Sequence, residues 1–242
     1  MRCNVLYVTL VLFLSFWSLF IISIVKKQRI KGFYFKGFTS LAFILIFAVG
    51  VYDLYVKNNG MNLSFIDKKH ILFTIFVALG LVCGLLGDLF LEVQYFYKEK
   101  KNSQIFSGMV AFFIGHVFYI IAISSLIGFN YLSIIVGLVF TIAVVIGGFI
   151  LKMNFGKLKL PSYLYTFIIF TMVGQSLFLA IDSQFSLFSV VLMSGALLFG
   201  ISDLLLAPIY FKGEKRVSFV IANLATYYLA QLLIAISILF IA

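Results

Sequence analysis

Charge is what this sequence has least of. Asp, Glu, Lys and Arg make up 11% of its 242 residues, where a water-soluble domain carries about 25%. With 64% hydrophobic residues and a mean hydropathy of +1.18, the chain exceeds what any soluble core can bury. Histidine and cysteine are also scarce, two of each. Neither type stands at a familiar ligand spacing, so no metal site is expected. Cys3 and Cys83 are too few and too far apart for a disulfide scaffold. The two prolines, Pro161 and Pro208, lie near the ends of apolar runs and break none of them. A Gly-x-Ser-x-Gly elbow and a glycine-rich phosphate loop are both missing. Serine hydrolase and nucleotidase chemistry therefore lack their usual footing, and no cofactor is called for.

Long apolar runs are what the chain does have. Eight are long enough to cross a bilayer as helices, at about 5–25, 37–56, 70–91, 104–127, 131–151, 161–181, 187–207 and 217–241. The first is longer than a signal-peptide core and is followed by Lys26-Lys27-Gln28-Arg29, which marks a retained span. The expected class is an all-α integral membrane protein, a single polytopic domain over 1–242. Gly128–Asn130 and Asp182–Ser186 are short enough to make their flanking helices antiparallel neighbours.

Basic residues set the orientation. Segments following the odd-numbered spans hold fourteen Lys and Arg, against four in the N-terminus and the remaining loops. That bias predicts cytoplasmic odd loops, both termini outside, and residence in the inner or plasma membrane. A net charge of +10 then reflects topology and anionic lipid headgroups rather than nucleic acid.

Two carboxylates sit inside this apolar sequence. Asp88 lies in Leu85-Leu-Gly-Asp-Leu-Phe-Leu91 and Asp203 in Gly200-Ile-Ser-Asp-Leu-Leu-Leu206. An Asp at the centre of a membrane helix costs about 2.5 kcal/mol or more, so each calls for a function. The two stand 115 residues apart, as do His116 and Gln231. Phe112-Phe-Ile-Gly-His116 aligns without a gap on Tyr227-Tyr-Leu-Ala-Gln231. A four-plus-four parallel repeat is expected, with halves of about 1–127 and 131–242 related by an axis along the membrane normal.

Such a repeat makes spans three and seven equivalents, their acids at one depth near the cytoplasmic ends. Gly80, Gly84 and Asp88 share one helix face, as do Ala196, Gly200, Asp203 and Ala207. Asn223, Tyr227 and Gln231 form a polar stripe on span eight, and His116 shares a face with Tyr119 on span four. Thr171 and Gln175 on span six complete the expected walls of a wet pocket. Each residue has a plainer reading. The aspartates would be packing or insertion devices, His116 and the span-eight stripe would tie helices together, and Glu92 would be solvated among headgroups.

Taken together, several of these motifs resemble the YhhN-like lysoplasmalogenase family. They are Gly87-Asp88-Leu89, Gly115-His116 with Tyr119, Gly195-Ala-Leu-Leu-Phe199 leading to Ser202-Asp203, and Tyr228-Leu-Ala-Gln231. The order and spacing hold from about residue 36 to the end. One departure is Lys36-Gly37, where the family often has Lys-Pro. The resemblance implies eight spans and hydrolysis of the vinyl ether bond of a lysoplasmalogen to a fatty aldehyde and a glycerophospho-base. It implies Asp88 and Asp203 as the catalytic pair, with a lysophospholipid substrate drawn from membrane lipid and no set oligomeric state. Around the pair, His116, Tyr119, Ser202, Asn223, Tyr227, Tyr228, Gln231 and Glu92 are expected to orient substrate or water. An ion-coupled transporter or binding protein built on the same paired acids is the competing class.

Overall fold

A computed structural model of the protein describes residues 2–59 and 67–241. In lipid every backbone N–H and C=O must find its partner within the chain, and a helix achieves this with local bonds alone. The described residues accordingly form eight long helices and no strand. They are α1 (Arg2–Val25), α2 (Arg29–Asn59), α3 (Lys68–Val93), α4 (Lys101–Ile127), α5 (Leu132–Ile150), α6 (Lys159–Asp182), α7 (Leu187–Phe211) and α8 (Val217–Ser237). All eight are long and apolar enough to span a membrane. Asp67 opens α3 by accepting from Lys69 N at 3.0 Å, and Ser186 opens α7 through its bond to Ser189 N at 3.4 Å. Gly128, at φ +80°, makes the turn out of α4, a conformation that suits a residue without Cβ.

Helix α2 begins eight residues before the expected start of the second span at residue 37. Lys36 is therefore not a loop residue. It lies inside α2 with 5% of its surface exposed, which leaves thirteen of the fourteen odd-side cations to set topology.

Consecutive helices pack as hairpins: α1 on α2, α3 on α4, α5 on α6, and α7 on α8. The hairpins join through α2–α3, α6–α7, α4–α6 and α2–α8, with a smaller contact between α3 and α8. Glycines let α3 and α4 pack closely. A Cβ on Gly115 would stand 3.2 Å from Gly80 O, and one on Gly108 would stand 2.7 Å from Leu91 Cδ2. The α5 helix is the most lipid-facing, with only Ser133, Gly137 and Gly148 buried. The interior is rich in aromatic rings, among them Phe20, Phe43, Phe73, Phe112, Phe199 and Tyr228.

Candidate active site

Asp88 is buried at 2% exposure and is tied to three other residues. From α2, the Lys36 ammonium stands 3.5 Å from Oδ1 and the Ser40 hydroxyl donates to Oδ2 at 2.6 Å. From α8, the Tyr227 hydroxyl donates to the same Oδ2 at 2.7 Å. Lys36 also bonds Glu92 Oε1 at 3.4 Å, and its ammonium lies 5.9 Å from the Phe20 ring centroid. Spacing explains the set. Lys36 and Ser40 are one helical turn apart on α2, as are Asp88 and Glu92 on α3, so two antiparallel faces meet in register. Glu92 is 5% exposed and paired with Lys36, which corrects its expected place among the headgroups.

A line of hydrogen bonds leads away from Asp88 toward the other end of the bundle. Tyr119 Oη donates to Gln231 Oε1 at 3.0 Å, and Gln231 Nε2 donates to Tyr227 Oη at 3.3 Å. Gly84 makes room for it, since a Cβ there would lie 2.5 Å from Gln231 Nε2. Tyr119, Gln231 and Tyr227 thus form one chain ending on Asp88.

Asp203 is set differently. Its Oδ2 accepts from Tyr165 Oη on α6 at 2.8 Å. Among the described residues it has no cation in contact and no bond to Asp88. Both acids nevertheless line one cavity of about 70 Å³, with Lys36, Glu92, Tyr95, Ser202, Asn223 and Tyr227 also on its wall. A cavity of that volume has room for a few water molecules beside its polar groups.

The remaining expected residues divide. Ser202 and Asn223 line the cavity but are tied to each other. Asn223 Nδ2 donates to Ser202 O at 2.7 Å and to Ser202 Oγ at 3.0 Å, and Ser202 Oγ donates to Asn223 O at 3.2 Å. They clamp α7 to α8 and spend most of their polar capacity doing so. His116 is 1% exposed and lies outside the cavity, its ring edge-on to Phe199 at 4.5 Å and 5.7 Å from the Tyr165 ring. Among the described residues neither imidazole nitrogen has a hydrogen-bond partner. Tyr228 packs its ring on Phe13 and Phe20 of α1, and among the described residues its hydroxyl makes no hydrogen bond. Thr171 and Gln175 do not wall the pocket as expected. Thr171 bonds back to Phe167 O at 2.8 Å. Gln175 holds the α4–α5 turn, donating to Gly128 O at 2.7 Å and accepting from Asn130 N at 3.1 Å.

Lys36, Ser40 and Tyr165 are the site residues that sequence reasoning left out. Lys36 carried a signal, a cation four residues from a serine opposite an Asp/Glu pair of the same spacing. Tyr165 carried almost none, being one of thirteen tyrosines.

These features define a polytopic membrane protein with paired acids on a small water-sized cavity near one end of the bundle. The chain belongs to the YhhN family, the lysoplasmalogenase family, whose profile matches residues 32–238. The match takes in α3 to α8 and all of α2 but its first turn. No curated protein and no solved structure matches the chain.

Proposed function

We propose that the protein hydrolyses the vinyl ether bond of a lysoplasmalogen or a closely related enol ether lipid. Membership of a hydrolase family supports the reaction class. The observation that carries the reading is that two carboxyl groups of unequal surroundings line one small cavity. Asp88, with a lysine and two hydroxyl donors, is built to be an anion. An uncompensated anion in an apolar wall is costly, so Asp203, with a single phenol donor, is the carboxyl suited to carry a proton.

The chemistry rests on that asymmetry. Asp203 gives its proton to the β-carbon of the vinyl ether, and the double-bond electrons form the new C–H bond. Positive charge develops across the α-carbon and the ether oxygen, and the Asp88 carboxylate steadies it. Water adds to the α-carbon and returns a proton to Asp203, giving a hemiacetal. The hemiacetal collapses as its C–O bond to glycerol breaks and its hydroxyl proton passes to the departing oxygen. Fatty aldehyde and glycerophospho-base are the products. Sidedness is part of the proposal: the cavity end of the bundle faces the cytoplasm.

The transporter reading has less support. Helices α3 and α7 run unbroken through both aspartates, without the interrupted segments that such carriers use. The test is purified protein in detergent with lysoplasmalogen, following aldehyde release, beside Asp88→Asn and Asp203→Asn. Release by the parent and a loss of at least about a hundredfold in each variant supports hydrolysis. Unimpaired release by either variant sinks the two-acid mechanism.

A further inference from the structure

The geometry points to a sideways route for the substrate's single hydrocarbon chain, entering from the bilayer between α4 and α6 and ending at Asp203. The chain's identity rests on the hydrolase reading; the route rests on three voids that share walls. A second cavity of about 60 Å³ abuts the acid-lined one and shares Leu91, Phe112, Asp203, Leu206 and Tyr210 with it. Asp203 is the one acid on both. Apart from that boundary the second cavity is mostly apolar, lined by side chains such as Val144, Ile169 and Phe170. A groove of about 340 Å³ on the outer face then shares Met109 and Tyr165 with the second cavity.

Each compartment suits a different part of one molecule. The groove is open to lipid, with Phe106, Val110, Leu160 and Leu164 between 40% and 66% exposed. The inner apolar cavity is too small to enclose a fatty chain, since an engineered hole of about 150 Å³ holds only one benzene. A chain that starts at Asp203 must therefore leave, and the groove beyond Met109 is the adjoining exit. The glycerophosphate end would lie in the polar cavity near Lys36, with Arg29, stacked 4.0 Å from the Tyr95 ring centroid, close to its rim. Met109 is then the neck of the route. An unbranched thioether can move aside for a chain, and an indole there cannot.

Two measurements test this. The first compares turnover of an eighteen-carbon and an eight-carbon alkenyl lysolipid by the parent protein, Met109→Trp and Met109→Ala. The expected result is a long-to-short ratio of kcat/KM that falls about tenfold or more in Met109→Trp and holds within about twofold in Met109→Ala. An unchanged ratio in a Met109→Trp protein that melts like the parent overturns the route. The second uses the parent protein and a non-hydrolysable lysophosphatidylcholine carrying a diazirine at mid-chain or at the chain end. Mid-chain label on Val144 or Ile169 and end label on Phe106, Val110, Leu160 or Leu164 supports the route. Label confined to other faces of the bundle overturns it. Because photolabelling needs no turnover, labels on the route without aldehyde release would refute the hydrolase reading and leave the route standing.

Discussion

Replacing Lys36 with Met would leave two buried carboxyls, Asp88 and Glu92, without their cation. Breaking one partner out of a buried ionic group typically costs about 3–5 kcal/mol. Lys36→Met should lower the melting temperature in detergent and abolish aldehyde release, whereas Arg216→Met, on an exposed pair with Glu214, should change neither. The phenols offer a finer probe. Tyr165 is the one described donor to Asp203, while Asp88 keeps Lys36 and Ser40 if Tyr227 is lost. Asp203 becomes charged as it gives up its proton, and a hydrogen bond to a charged group is worth about 1.5–3 kcal/mol, or roughly ten- to hundredfold in rate. Tyr165→Phe should therefore reduce kcat by about that much and Tyr227→Phe by less, both with little change in KM. Equal losses in the two would count against unequal roles for the acids. At the 115-residue offset the position matching Tyr227 is Phe112, which lines the cavity beside Asp203 but has no hydroxyl to give.

At the scale of helices, span count and the aspartate-bearing faces were legible in the sequence because an acid in an apolar run has few explanations. The start of α2 was not. Lys36 reads as a boundary marker when charges are assumed to avoid lipid, and the acids that neutralise it lie more than 50 residues away. Tyr165 was hidden for a related reason. Each aspartate takes a hydroxyl from the helix before it, Ser40 for Asp88 and Tyr165 for Asp203, but the separations are 48 and 38 residues, so a fixed offset misses the match. The pattern of neighbours matches the expected four-plus-four duplication only in part, since the α3–α8 contact has no comparable α4–α7 counterpart among the described residues. Exchanging each helix for the one four places on turns α2–α3 into α6–α7 and α2–α8 into α6–α4, and all four pairs are in contact. Gly87 gives a test of how tightly these elements fit. A Cβ there would stand 2.5 Å from Phe112 Cε2. Gly87→Ala should destabilise by about 1–3 kcal/mol and, by turning the Phe112 ring, depress turnover more than a comparable change at Gly147, where a Cβ meets nothing within 4 Å.

For the whole molecule, orientation is the physical question that charge answers most directly. In a background carrying Cys3→Ser and Cys83→Ala, a membrane-impermeant maleimide should reach Lys215→Cys only from the cytoplasmic side and Ser183→Cys only from outside. The reverse pattern would put the acid-lined cavity at the wrong leaflet for a cytoplasmic supply of lysolipid.

On the proposed hydrolysis, the wall made by Leu91, Phe112, Leu206 and Tyr210, with the acid-lined cavity on one side and the apolar one on the other, would also govern the fate of the products. An amphiphile severed at that partition yields a water-loving fragment and a greasy one already on opposite sides of it. Each would depart into the solvent it prefers, and the reactive carbonyl would reach the bilayer without crossing the aqueous phase.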